Sequence, residues 1–101
     1  MRLHRQNPFA KAGEDIHSGD VLEILNGGHM MQTQFGEQFM IVMRLANGLE
    51  KEVRVNKRNS NIFVNAWGQE TEDWIGKKIK VEIKEERMGK VMYMEPYVPT
   101  A

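Results

Sequence analysis

The chain has 101 residues, 14 Lys and Arg against 14 Asp and Glu, and no cysteine. That length holds one domain, and the 41% apolar content belongs to a globular chain rather than a disordered one. The missing thiols exclude disulfides and thiolate–metal sites, and no apolar run approaches the roughly 18–20 residues of a membrane span.

The chain begins with Arg2, Arg5 and Lys11 and no acid before Glu14. Residues 1–12 read as a basic extended arm, 13–97 as the folded domain, and 98–101 as a tail, with Pro8, Pro96 and Pro99 marking the ends. Met1 to Lys11 has no apolar stretch of the secretory type, so a cytoplasmic location is expected. Gly19–Asp20 predicts a turn, and Val21 to Leu25 a buried or bent first strand. Asn26–Gly27–Gly28 breaks or kinks that strand, and Met30 to Phe35 is either its second half or a loop. Phe35–Gly36–Glu37 reads as a turn.

Gln38 to Leu45 alternates, with Phe39, Ile41, Met43 and Leu45 on one face and Gln38, Met40, Val42 and Arg44 on the other. Leu49 to Val55 continues the pattern, and Asn47–Gly48 between them is a hairpin signal. Parity selects the turn. A two-residue loop would set Ile41 opposite Arg54, apolar face against polar face. A three-residue loop, Ala46–Asn47–Gly48, sets Leu45 opposite Leu49, Ile41 opposite Val53 and Phe39 opposite Val55, with Gly48 in the left-handed region. Lys51 then falls on the apolar face opposite Met43 and must leave at an end or snorkel.

Ile62, Phe63, Ala66 and Trp67 recur at helical spacing, with Asn59 or Ser60 as the cap and Gly68 as the stop. Thr71 caps a second short helical turn, with Glu72 and Asp73 in its first turn and then Trp74, Ile75 and Gly76. Ile79, Val81 and Ile83 point inward from a further strand, with Lys78, Lys80, Glu82 and Lys84 outward. Met88–Gly89 turns the chain into a last strand, Lys90 to Tyr97. Its inward face is either Val91 and Tyr93 or Met92 and Met94, depending on turn length.

The order is three strands, a helix and two strands. The expected class is therefore all-β with one helix: a five-stranded barrel like the oligonucleotide/oligosaccharide-binding (OB) fold, with the helix between strands three and four. An SH3-like barrel and a mixed α+β sheet are the rivals. The segments Val55–Asn56–Lys57 and Trp67 to Lys77 (Trp-Gly-Gln-Glu-Thr-Glu-Asp-Trp-Ile-Gly-Lys) resemble small single-domain OB-type proteins of phages, archaea and mobile elements. The resemblance spans roughly Gly13 to Pro96 and implies a barrel of single-stranded-DNA-binding type.

Trp74 either meets a base or, with Ile75, plugs the barrel end. An apolar pair followed by a Gly stop favours the plug. Trp67 and Phe63 share the apolar helix face and read as core. The outward face of the second and third strands carries no aromatic, which argues against the usual base-stacking platform there. Phe35 is the one candidate for exposed stacking and serves equally well as core. The stronger signal is basic: Arg44 and Arg54 point outward from adjacent strands, Lys57 and Arg58 follow, and Lys78, Lys80 and Lys84 form one row. Such rows track a phosphate chain, or keep a sheet edge soluble. The arm from Arg2 to Lys11 offers the same choice.

His4, His17 and His29 lack metal-ligand spacing, and no nucleophile, phosphate-loop or dinucleotide motif is present, so neither a metal, a cofactor nor catalysis is expected. The favoured reading is a module for single-stranded DNA or RNA, with Arg44, Arg54, Lys57, Arg58, Lys78, Lys80 and Lys84 on phosphates and Phe35 on a base. The alternative is an assembly module that binds a protein or a second copy through Met40 and Val42. The zero net charge favours the alternative.

Overall fold

In the computed structural model residues 9–34, 36–87 and 89–98 are described. Six strands, one α-helix and one 3-10 turn follow in the order β1 Val21–Ile24, β2 His29–Thr33, β3 Gly36–Arg44, β4 Glu50–Val55, α1 Lys57–Trp67, the 3-10 turn Thr71–Trp74, β5 Lys78–Glu86 and β6 Gly89–Tyr97. The molecule is mostly β with one helix, as expected, and all the strand pairs are antiparallel.

The expected first strand is two strands. β1 and β2 lie end to end along one edge of β3, pairing Ile24 with Met43 and His29 with Met40. Between them Gly28 sits at φ 77°, and a β-carbon there would come within 2.7 Å of the Phe39 ring. Only glycine fits so close an approach at a positive φ. The Asn26 side chain covers the break, its Oδ1 accepting from Gly28 N (3.0 Å) and Val42 N (3.1 Å). Met30 to Phe35 is thus resolved as strand rather than loop as far as Thr33.

The β3–β4 hairpin has the register that parity demands: Phe39 opposite Val55, Ile41 opposite Val53 and Met43 opposite Lys51. Gly48, at φ 89°, closes the three-residue loop, and Leu45 N donates to Leu49 O at 2.7 Å. Lys51 neither snorkels nor escapes. Its ammonium meets Asp15 at 3.1 Å, where the two side chains are 12% and 21% exposed. Asp15 closes the Lys11–Ile16 turn by accepting from Lys11 N, and Ile16 enters the core. The Lys11 N–H first, and then Lys51, hold the Asp15 carboxyl below the usual carboxylate range.

α1 begins one turn earlier than the apolar spacing suggests. Asn56, not Asn59 or Ser60, is its cap and accepts from Asn59 N at 2.8 Å. Gly68 ends it, donating to Val64 O. Phe63 and Trp74 are buried against one another, edge to face, and Trp67 stacks on Phe63 with centroids 5.1 Å apart. Burying an indole of this kind removes about 150–250 Å² from water, worth about 4–6 kcal/mol at ~25 cal/mol per Å². Trp74 Nε1 donates to Gly68 O, so its one polar atom is satisfied. Ile75 does not join the plug, because it is 49% exposed just beyond the 3-10 turn.

The core gathers Leu22, Ile24, Ile41, Met43, Val53, Val55, Phe63, Trp74, Ile79, Val81 and Met94. The sheet runs β2-β3-β1-β5-β6, with β4 on the second edge of β3. The expected closure of the barrel is not made: among the described residues no ladder joins β4 to β6. A side chain stands in for it. Asn59 Nδ2 donates to Met92 O (3.0 Å), and Asn59 Oδ1 accepts from Met94 N (3.1 Å), so α1 occupies the edge of β6 that another strand would take. The facing edge of β4 is met by the segment before β1, where Ala10 N donates to Glu52 O and Phe9 pairs with Glu52. These two residues belong to the stretch that the sequence assigns to an arm.

Candidate nucleic-acid interface

The cations singled out by the sequence fall into three groups. Arg44, at the end of β3, lies 3.0 Å from Glu23 of β1 and 3.4 Å from Glu50 of β4. Two carboxylates therefore match its charge. Beside it on the same outer face, Glu52 stands 2.9 Å from His29. Met40 points outward as expected, yet is only 6% exposed and lines an apolar cavity of about 310 Å³ with Phe9 and Met31.

Arg54 and Lys57 form the second group. Both line a cavity of about 280 Å³ with Phe39 and Asn56, at the junction of β4 and α1. Arg54 has no ion pair among the described residues. α1 has no acidic residue in its first turn but does have Lys57 and Arg58 there. Cations at a helix N-terminus oppose the macrodipole, so this placement adds positive potential instead of stabilising the helix.

The third group lies on the outer face of β5–β6. The register pairs Lys78 with Tyr97, Lys80 with Glu95, Glu82 with Tyr93 and Lys84 with Val91. Met94 is buried and Met92 packs on the core, which settles the open choice on the last strand: Tyr93 and Tyr97 point outward with the lysine row. Lys78 and Lys80 are exposed and have no ion pair among the described residues. Arg58 reaches from α1 to place its guanidinium carbon 4.1 Å from the centroid of the Tyr93 ring, and Lys84 Nζ lies 5.1 Å from the same centroid. Lys84 also lies 4.0 Å from Glu82. The Tyr93 hydroxyl donates to Glu86. That carboxylate, above all, raises the phenol above the ordinary tyrosine value, with Arg58 acting in the opposite sense.

The structure thus brings Arg58, Lys78, Lys80 and Lys84 to one side of the molecule, with Arg54 and Lys57 at the start of the helix and Arg44 apart. Phe35 and the arm residues Arg2 and Arg5 lie outside the described residues. The aromatics missed by sequence reasoning are Tyr93 and Tyr97. The register that sets Glu86 opposite Gly89 fixes both outward, because it places Met92 and Met94 opposite the inward Ile83 and Val81. No group of three or more metal-ligating side chains occurs among the described residues. No helix among them is long and apolar enough to cross a membrane. The chain matches no family model and no curated protein sequence.

Proposed function

We propose that the chain binds single-stranded nucleic acid, DNA in the first instance, across the outer face of β5–β6 and the start of α1, with no catalytic step. One observation carries the reading: four cations from two elements share this face with two outward tyrosines. Phosphates need the cations, and unpaired bases need aromatic faces. The OB-type assignment belongs to the same proposal. It is supported by the element order and by β1 pairing with both β3 and β5, while the unclosed β4–β6 edge departs from the full barrel. Glu82, Glu86 and Glu95 interleave with the cations, so affinity is expected to be modest and steeply dependent on salt.

Fluorescence anisotropy of a labelled oligodeoxynucleotide, single-stranded and duplex, at low and moderate salt tests the reading. Preference for the single strand that weakens with salt supports it; a flat signal at low salt with both probes removes it. The same titration with an RNA strand decides the polymer. A second reading, an assembly module, is favoured by the apolar cavity between Phe9, Met31 and Met40. Sedimentation over a concentration series tests this one, and a strict monomer counts against self-assembly.

A further inference from the structure

We infer that the two outward tyrosines divide the work of binding: Tyr97 is the platform for a base, and Tyr93 is a positioning residue that holds Arg58 and Lys84 together as a phosphate clamp. The inference rests on the proposed function and names the parts of that same face.

The two rings differ in what surrounds them. Tyr93 is engaged both at its ring and at its hydroxyl. Its π face draws the Arg58 guanidinium from α1 and the Lys84 ammonium from β5, both within the ~6 Å range of a cation–π contact, and its hydroxyl is bound to Glu86. A base stacking there would have to displace these partners. Arg58 and Lys84 are long, flexible side chains on separate elements, and the shared ring gives them a common location.

Tyr97 is the reverse case. It is 38% exposed and has no ring contact, ion pair or polar side-chain partner among the described residues. Its cross-strand neighbour is Lys78, an exposed cation without an ion pair among the described residues. A partly exposed ring beside an ammonium with no ion pair among the described residues suits a stacked base with its phosphate alongside.

Tyr93 and Tyr97 are four residues apart on one face of β6, about 13 Å at ~3.3 Å per residue. The clamp and the platform therefore serve different nucleotides of one chain. The ligand class is a single-stranded polynucleotide read without regard to sequence, and a mononucleotide cannot engage both parts.

The test measures anisotropy of a labelled single strand over a salt series for the wild-type chain and five variants. Tyr97→Ala is expected to lower affinity about tenfold or more with the salt slope unchanged, because it removes stacking and no charge. Tyr93→Ala is expected to reduce the log–log salt slope by up to about 1.4, two contacts at ~0.7 each, and Tyr93→Phe to restore it by returning the ring. The double variant Arg58→Ala/Lys84→Ala is expected to show the slope of Tyr93→Ala, and adding it to Tyr93→Ala to change little more. Thermal melts confirm folding; if Tyr93→Ala fails to fold, Tyr93→Leu removes the π face with a bulkier side chain. Identical signatures for the two tyrosines, or full additivity of Tyr93→Ala with the double variant, overturn the division of labour. A wild-type chain that binds no strand overturns the proposed function, and the inference with it.

Discussion

The two long hairpins of this protein are built alike and use their outer faces differently. On β3–β4 Arg44 sits between Glu23 and Glu50, and Glu52 lies against His29, which leaves Arg54 at the α1 end as the outward cation of this hairpin without an ion pair among the described residues. On β5–β6 Lys78 and Lys80 face solvent without an ion pair among the described residues, and Arg58 shares an aromatic ring with Lys84, whose one carboxylate neighbour, Glu82, is 4.0 Å away. A cation already matched by two carboxylates has less to gain from a phosphate. The number of outward arginines and lysines on a strand is therefore a poorer guide to function than the number left without a partner.

The largest effect expected from breaking this arrangement lies in the backbone that supports each hairpin. Asn59→Ala leaves Met92 O and Met94 N without their partner, at about 1–3 kcal/mol for each group that stays unpaired. Asn26→Ala at the β1–β2 break is expected to cost less, because its two N–H partners are only partly buried. Urea denaturation of both variants ranks them; equal losses would mean that the β6 edge needs no such support. Next in size, Lys78→Glu/Lys80→Glu is expected to reduce the salt slope for single-stranded DNA by about 1.4, read by anisotropy. Arg44→Ala should leave that slope alone and cost at most about 1 kcal/mol of stability, as exposed ion pairs do. If Arg44→Ala weakens binding as much as the lysine pair, the contrast between the hairpins is wrong.

The smallest effects sharpen the contrast through pH. Asp15, tied to Lys51 of β4, is held below its unfolded value of 3.8. The stability it contributes is whole above about pH 4 and is lost as the pH falls through the folded value. Asp15→Asn should flatten the acid limb of a stability–pH curve and cost about 1–2 kcal/mol near neutrality. Tyr93 on β6 is raised above its unfolded value of 10.0. Its contribution is present below pH 10 and is lost as the pH rises through the folded value, so Tyr93→Phe should flatten the alkaline limb. Thermal melts across pH separate the two limbs, one for each hairpin.

Much of this was legible in the sequence, for reasons that differ by region. The β3–β4 register followed from parity, because both strands alternate cleanly and only one loop length sets apolar against apolar. The inward and outward faces of β5 were readable for the same reason. β6 was not, since Val91, Tyr93, Met92 and Met94 supply an apolar or aromatic residue on both faces, and a turn of different parity exchanges them. That ambiguity hid both tyrosines. The pairing of Arg44 with Glu23 was hidden too, because it depends on β1 lying beside β3 across a long sequence separation. The roles of Asn26 and Asn59 in replacing strand neighbours carry no periodic signal at all. Ile75 was read as core from its place beside Trp74, but the 3-10 turn ends between them and leaves it exposed.

The Asn59 carboxamide has one further consequence. Most neighbouring strands here are fastened by a row of backbone hydrogen bonds, whereas the hydrogen bonds between α1 and β6 among the described residues are the two of a single side chain. The line between them is where the molecule should breathe first, with the Met94 amide exchanging with solvent ahead of those inside the β3–β4 ladder. Arg58 rides on one bank of that line and Tyr93 on the other. Each opening would carry the guanidinium away from its ring, so the residue beside Arg58 sets the spacing of the charges, and how long they hold it, from outside the proposed binding face.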